Sequence, residues 1–137
     1  MEITYKNEKA LPCNMLYDIF VAVGWADAAK TTEEMITNFN KPFINSTFVV
    51  SAWDGDKLVG CVRALSDMMF RSVIYDLAVL PEYQGQNIGK ELVKRCIAYC
   101  PNSEWLVATI PACVGFYDRL GFKASDSAFL SIQCKCF

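Results

Sequence analysis

The stretch that decides the fold covers residues 72–99 and reads SVIYDLAVL, then PEYQGQNIGK, then ELVKRCIAY. The part before Pro81 is apolar and rich in β-branched residues, which predicts a strand, and Pro81 ends that strand because it lacks the N–H that extends a ladder. After a turn that contains Gly85 and Gly89, apolar residues recur at positions 88, 92, 93, 96, 97 and 100, which is helical spacing. The stretch therefore predicts a strand, a loop and a helix in succession.

A helix that begins directly after such a loop is a candidate phosphate site. The first amides of a helix have no intrahelical partner, and the helix dipole makes that end positive. Gly85 and Gly89 let the backbone approach a ligand closely, which favours a phosphate or a pyrophosphate. The same two glycines also suit a tight turn that only packs a helix on a sheet, and neither common phosphate fingerprint is present, so both interpretations stay open.

The wider stretch resembles the acetyl-CoA-binding motif of the GNAT superfamily of N-acetyltransferases. The resemblance rests on residues 78–84, which read AVLPEYQ, on Ile88 with Gly89, and on a second block, GFYDRLGF, at residues 115–122. Asn87 departs from the family pattern, which usually has glycine there, although asparagine tolerates left-handed backbone better than most residues. The two blocks are separated by about the distance that the family uses, and the resemblance covers nearly the whole chain.

The resemblance implies one N-acetyltransferase domain over residues 1–137 with the α/β (α+β) GNAT fold. In that fold a mixed central sheet carries helices on both faces and splays after the fourth strand. The predicted order of elements, β-α-α-β-β-β-α-β-α-β, agrees with it. A capping box of Thr31 and Glu34 is predicted to begin the second helix, Pro42 is predicted to end it, and the last strand is predicted over residues 129–136.

The resemblance also implies a role for individual residues. The backbone of Leu77, Ala78 and Val79 is expected to line the pantetheine and acetyl groups, with a nearby N–H that stabilises the oxyanion. Tyr117 matches the family tyrosine near the CoA sulfur and is expected to protonate the leaving thiolate, while a packed aromatic is the structural alternative. The residues expected to hold the pyrophosphate are Gln84, Gly85, Gln86, Asn87, Ile88, Gly89 and Lys90.

Fewer residues are available for the acceptor side and for proton transfer. Trp25 and Asp27 lie where the family shapes its acceptor pocket, although Trp25 also suits a core anchor. The chain contains no histidine, so no side chain has an unperturbed pKa near neutrality. Asp76 is therefore expected to attract and orient a cationic amine rather than to act as a base with a raised pKa, and a purely structural carboxylate is the alternative.

Composition limits the classes of function. The chain is 53% hydrophobic and 20% charged with a net charge of −2, which predicts no nucleic-acid-binding surface. No apolar run has membrane-spanning length and no signal peptide is recognisable. The seven cysteines show no disulfide framework and no zinc spacing, so we expect reduced thiols, no metal and a cytoplasmic location.

The expected function is the transfer of an acetyl group from acetyl-CoA to a primary amine of a small molecule. Two alternatives stay open: a catalytically silent CoA-binding or ligand-sensing domain, and acetylation of a protein or peptide amine. The apolar run at residues 129–132 is also a candidate for edge-to-edge strand pairing in a homodimer.

Overall fold

The computed structural model describes residues 2–135. Five of its segments are strands, namely β1 (Ile3–Lys6), β2 (Phe48–Asp54), β3 (Lys57–Ser66), β4 (Arg71–Val79) and β5 (Glu104–Val107). They form one sheet in the order β1-β2-β3-β4-β5. The pairs β1–β2, β2–β3 and β3–β4 are antiparallel and the pair β4–β5 is parallel, so the sheet is mixed, as predicted.

Helices cover both faces of this sheet. They are α1 (Cys13–Ala22), α2 (Glu33–Thr37), α3 (Lys41–Ile44), α4 (Ile88–Ile97) and α5 (Val114–Arg119). A Cβ added at Gly60 of β3 would meet Leu92 of α4 at 3.2 Å, whereas the Arg63 guanidinium lies over the Phe43 ring of α3. Positions 60 and 63 of one strand point to opposite faces. The predicted architecture, a mixed sheet with helices on both faces, is therefore confirmed.

The core fills both faces of the central strands. Strands β2 and β3 are buried almost throughout instead of alternating between buried and exposed positions, because each has a helix layer above and below it. The helices contribute buried side chains to the core on the two faces of the sheet, among them Leu16 and Ile19 of α1, Phe43 of α3, and Leu92 and Val93 of α4. This burial makes the middle of the sheet a rigid platform for the cleft described below.

The region of α2 and α3 differs in detail from the prediction. The hydroxyl oxygen of Thr32 accepts the N–H of Met35 at 3.2 Å, so the N-cap lies one residue after the position that a capping box of Thr31 and Glu34 requires. Pro42 does not end a helix but lies in the first turn of the additional helix α3, where a missing N–H removes no hydrogen bond.

The predicted last strand is not formed in the part of the chain that the structure describes. Residues 123–135 contain neither helix nor strand, and Cys136 lies outside the described residues. The side chains of Phe129, Leu130 and Ile132 are largely exposed. Their apolar character predicted a strand, but strand preference depends on packing against a neighbouring strand, and none of the described strands pairs with this run. Edge-to-edge pairing in a homodimer stays a prediction.

Candidate active site

The sheet opens between β4 and β5. The two strands pair in parallel from Arg71 with Glu104 to Ile74 with Val107. Pairing stops there, although β4 continues to Val79. Among the described residues, the second half of β4 therefore has no strand partner on that side, and most of its backbone groups there are open to a ligand. This opening is the splay that was predicted after the fourth strand.

A β-bulge lies where the opening begins. On β3, Arg63 pairs with Asp76, but the next residue, Ala64, pairs with Ile74, so Tyr75 is an extra residue in β4. A bulge leaves its extra residue outside the ladder and bends the strand. Because it coincides with the last β4–β5 pair, we attribute part of the divergence of the two strands to it.

A cleft of about 940 Å³ occupies the opening. Its walls come from the second half of β4, the loop before α4, the end of β5 with the segment after it, and α5. The structure brings most of the predicted site residues together here. Those that line the cleft are Trp25, Leu77, Val79, Gln84, Gly85, Asn87, Ile88, Gly89, Lys90 and Tyr117.

The remaining predicted residues lie outside this lining. Side chains alternate along a strand, so Asp76 and Ala78 point away from the face that carries Leu77 and Val79. Gln86 is exposed on the loop. The carboxylate of Asp27 accepts the N–H of Ala29 at 3.0 Å and caps a short 3₁₀ turn. Both predicted carboxylates thus lie apart from the cleft wall.

The loop before α4 presents a row of backbone amides. Gly85 and Asn87 have φ angles of 80° and 64°, so the asparagine that departs from the family pattern adopts the left-handed conformation that glycine would adopt. Within residues 2–135, no backbone acceptor takes the N–H groups of residues 85–90, and the N–H of Glu91 bonds to the Asn87 carbonyl at 3.0 Å. Free amides at a helix N-terminus form an anion-binding site.

The side chain of Gln84 has a structural role in this loop. Its amide nitrogen Nε2 donates to the carbonyl oxygen of Val79 at 3.0 Å. This bond ties the loop to the end of β4, so the free amides and the open strand edge keep a fixed relative position.

The charged side chains in the described lining of the cleft are all cationic. Lys90 and Arg119 are its charged residues, and no aspartate or glutamate of the described chain lines it. Arg119 was not identified in the sequence analysis. This residue lies in the second family-like block, residues 115–122, four positions after Gly115, so the two residues share one helix face. A positive lining without carboxylates favours an anionic ligand.

Tyr117 is buried in the cleft wall, with 8% of its surface exposed. The rings of Phe116 and Phe122 pack edge-on against it, with centroid distances of 5.0 and 5.5 Å. Burial, and to a smaller extent the electrostatic effect of the nearby Cys113, raises the pKa of Tyr117 to about 12. The phenol therefore keeps its proton at neutral pH and is a hydrogen-bond donor.

Asp76 has a partner that the sequence analysis did not identify. Arg63 Nε donates to Asp76 Oδ2 at 2.5 Å, and the two side chains are 19% and 23% exposed. The carbon of the same guanidinium lies 5.9 Å from the ring centroid of Phe43 and 5.4 Å from that of Tyr75. The hypothesis that Asp76 attracts a cationic amine did not include this pairing, which neutralises much of the carboxylate's charge.

Two exposed aromatic residues line the cleft away from the loop. The surfaces of Trp25 and Tyr75 are 51% and 54% exposed, and both residues contribute to the lining. Trp25 packs edge-on against Phe20 at a centroid distance of 5.2 Å, and Phe20 packs in turn against Phe43 at 6.4 Å. Tyr75 was missed by the sequence analysis because its position depends on the bulge.

The described residues contain neither a metal-binding cluster nor a membrane-spanning helix. No group of three or more histidine, cysteine, aspartate or glutamate side chains there is arranged to hold a metal ion. None of the helices combines the length and the apolar character that crossing a bilayer requires.

Comparison with known proteins identifies the relatives of this chain. Residues 16–135 match the family model of the acetyltransferase (GNAT) domain. A chloroplastic GCN5-related N-acetyltransferase 2 of Arabidopsis thaliana is 41% identical over 71 residues, which are 50% of this chain and 28% of that protein. The chain spans between 28% and 56% of the length of the first curated relatives that it matches.

Two solved structures illustrate the similarity in fold. A GNAT-family acetyltransferase of Streptococcus pneumoniae has a TM-score of 0.79 at 28% identity, covering 96% of this chain and 98% of that one. The PaiA N-acetyltransferase of Thermoplasma acidophilum, solved in complex with coenzyme A, has a TM-score of 0.68 at 16% identity, covering 93% and 94%. The second similarity concerns the fold alone.

Proposed function

Because this chain belongs to the GNAT acetyltransferase family, we propose that it transfers the acetyl group of acetyl-CoA to a primary amine of a small molecule. Both substrates bind at once, and the amine attacks the thioester directly. The observation that carries the proposal is the opening between β4 and β5, with free amides at one end and a buried phenol in its wall.

The residues of the cleft suit acetyl-CoA as the acetyl donor. The free amides of residues 85–90 and the side chains of Lys90 and Arg119 offer positive partners for its phosphates. The open edge of β4 at Leu77 and Val79 offers backbone groups to the amide-containing pantetheine arm, as a strand edge does to an added strand. When bound, acetyl-CoA supplies the reactive thioester.

Polarisation of the thioester carbonyl is assigned to the backbone of β4. Beyond Ile74 none of the described strands pairs with this edge, and a preorganised N–H in a water-poor site stabilises the charge that develops on the carbonyl oxygen. Because the N–H is held by the bulge and by the buried sheet, it needs no reorganisation during the reaction.

We assign to Tyr117 the stabilisation of the leaving thiolate. The amine nitrogen forms a bond to the carbonyl carbon, and the carbon–sulfur bond breaks with its electron pair leaving on sulfur. The phenol O–H holds the leaving sulfur and passes it a proton, the nitrogen loses a proton to solvent, and the phenol regains a proton from solvent. With a pKa of about 12, the phenol is a weaker acid than a typical thiol. Its contribution therefore lies mainly in a strong hydrogen bond to the developing thiolate.

The amine loses its proton to water before it attacks. No histidine is present, and Asp76 is paired with Arg63, so no cleft residue is assigned as a base. The rate is then expected to rise with pH toward the pKa of the acceptor amine.

Binding and turnover must be measured separately to test the proposal. Saturating acetyl-CoA is expected to raise the melting temperature by mass action, because it binds only the folded cleft. Release of free CoA is then followed with small amines and with N-terminal peptides. No thermal shift would contradict the proposal, a shift without turnover would favour a silent CoA-binding domain, and turnover of peptides alone would favour a protein acceptor.

A further inference from the structure

The charges at the cleft are unfavourable for a polycation. Its charged lining residues are Lys90 and Arg119, and no described carboxylate lines it. An amine with several positive charges would leave water without acidic partners in the described lining, and Lys90 and Arg119, which are assigned to the phosphates of acetyl-CoA, offer it none. A buried charge is tolerated only when it is paired, so this wall disfavours polyamines and aminoglycosides.

Arg63 occupies the carboxylate of Asp76, the chain neighbour of two residues, Tyr75 and Leu77, that line the cleft. Asp76 lies on the strand that forms the cleft wall, and its Oδ2 accepts Arg63 Nε at 2.5 Å. The Phe43 and Tyr75 rings lie on the guanidinium, and its Nη1 donates to the Ser46 hydroxyl at 3.5 Å. These contacts hold Arg63 in place and shield the ion pair from water, which keeps screening low.

The described lining of the cleft contains aromatic side chains but no carboxylates. Trp25 and Tyr75 line it with about half of their surfaces exposed. Trp25 is connected through Phe20 and Phe43 to Arg63, and Tyr75 contacts Arg63 directly, so both rings are linked to the ion pair, which lies behind the lining. Half-exposed aromatic side chains in a cleft bind apolar or aromatic bodies, and a single ammonium adjacent to a ring is also tolerated.

We infer that the acceptor is a monoamine with an apolar or aromatic body, and that Arg63 determines this specificity by neutralising Asp76. The inference rests on the proposed acetyl transfer and narrows its acceptor class. Arg63 acts on the acceptor through Asp76 and through the position of the Tyr75 ring, so it is a specificity-determining residue and not a catalytic one.

The first test compares acceptors with the unmodified protein. The ratio of kcat/KM for 2-phenylethylamine to kcat/KM for 1,4-diaminobutane is expected to be about tenfold or more, the scale of one charge-assisted contact. Spermidine is expected to be still poorer than the diamine. Equal or better turnover of the diamine or of spermidine would overturn the inference.

The second test changes the ion pair. Arg63→Met exposes the charge of Asp76, so the diamine is expected to gain about tenfold relative to 2-phenylethylamine. Arg63→Lys keeps a cation and is expected to keep the parent preference. The double variant Arg63→Met/Asp76→Asn has no free carboxylate, so its preference is expected to return to that of the parent. An unchanged ratio in a folded Arg63→Met protein would overturn the role of Arg63.

The third test uses the aromatic wall and does not depend on the stability of the ion-pair variants. Trp25→Ala is expected to raise KM for 2-phenylethylamine about tenfold with little change for 1,4-diaminobutane, and Trp25→Phe is expected to retain most of the parent affinity. Parallel losses for both amines would contradict the inference. If the parent protein shows no thermal shift with acetyl-CoA, or no turnover with any amine, the proposed function itself is refuted.

Discussion

The two ends of the cleft are constructed in different ways. At the donor end, residues 84–90 are consecutive, and the groups that face the cleft are mainly backbone amides. At the acceptor end, the groups are side chains from separate segments: Trp25 after α1 and Tyr75 on β4 line the cleft, and Phe43 on α3 and Arg63 on β3 pack behind them. The donor end therefore depends on local conformation, and the acceptor end depends on how distant segments pack.

The two ends of the cleft are therefore expected to differ in how selective they are for their ligands. Backbone amides recognise any suitably placed phosphate and do not vary with side-chain identity, so the donor end suits a common cosubstrate. Side chains can change without altering the fold, so the acceptor end is where specificity is expected to reside. Substitutions at the donor end should thus affect all acceptors equally, and substitutions at the acceptor end should distinguish between them.

The largest effect is expected at the donor end, from Gly89→Val. The valine γ-carbons would extend from a Cβ that already lies 3.5 Å from the Phe116 ring, into the space between the first turn of α4 and the cleft. Acetyl-CoA at a hundredfold excess over Kd stabilises a protein by about 2.7 kcal/mol, and this stabilisation should be lost. Thermal unfolding with and without acetyl-CoA measures it.

Gly89→Ala is the matched control for that substitution. Its added Cβ makes only an ordinary van der Waals contact with Phe116, so the thermal shift should remain. A valine variant with the full acetyl-CoA shift would show that close backbone approach at this position is not required.

The next largest effect is expected from Tyr117→Phe, between the two ends. It removes only the hydroxyl and keeps the packing with Phe116 and Phe122. Turnover should fall by about 10–100-fold, the scale of one hydrogen bond to a charged group, while the acetyl-CoA thermal shift is retained. The loss should be equal for every acceptor amine. Full activity, under conditions where chemistry limits the rate, would assign Tyr117 to packing alone.

A smaller, acceptor-dependent effect is expected from Asp76→Asn. The substitution leaves the Arg63 cation without its carboxylate, so a cationic amine is repelled, and KM should rise about tenfold, the scale of one charge-assisted contact. The value of kcat should change less, because this repulsion acts on the amine in the ground state and in the transition state alike. Steady-state kinetics with 2-phenylethylamine and with 1,4-diaminobutane measure both constants for each acceptor.

The pH profile of this variant separates two roles of Asp76. In the parent and in Asp76→Asn, the profile of kcat/KM should have the same shape and should shift with the pKa of the acceptor. An ionisation near neutral pH that is independent of the acceptor and disappears in Asp76→Asn would identify Asp76 as the general base.

The smallest effect concerns stability at high pH. Burial raises the pKa of Tyr117 from 10.0 to about 12, so its contribution is fully present below pH 10 and is lost as the pH rises toward 12, because the unfolded chain releases the proton first. The free energy of unfolding of the parent should fall more steeply over this interval than that of Tyr117→Phe, with a difference on the order of 1 kcal/mol. Denaturant titrations at several pH values would measure this, and parallel slopes would contradict it.

The contrast between the two ends also explains what could be predicted. Strand β4, the loop and helix α4 follow from residues 72–99 alone, because apolar periodicity and the position of Pro81 specify them locally. Gly85 and Asn87 at the loop were identifiable as well, since few residues adopt a positive φ readily. The last strand was predicted wrongly for its described part, because strand formation needs a neighbour that composition does not reveal.

The acceptor end shows what only the tertiary structure decided. Arg63 and Asp76 meet because β3 and β4 pair in one register, and Tyr75 lines the cleft because a bulge inserts it into β4. Arg119 reaches the cleft because α5 packs beside the opening. The sequence by itself determined the donor loop, since its backbone geometry depends on adjacent residues. It did not determine these side-chain partners, since strand register and helix packing are set by contacts between segments far apart in the chain.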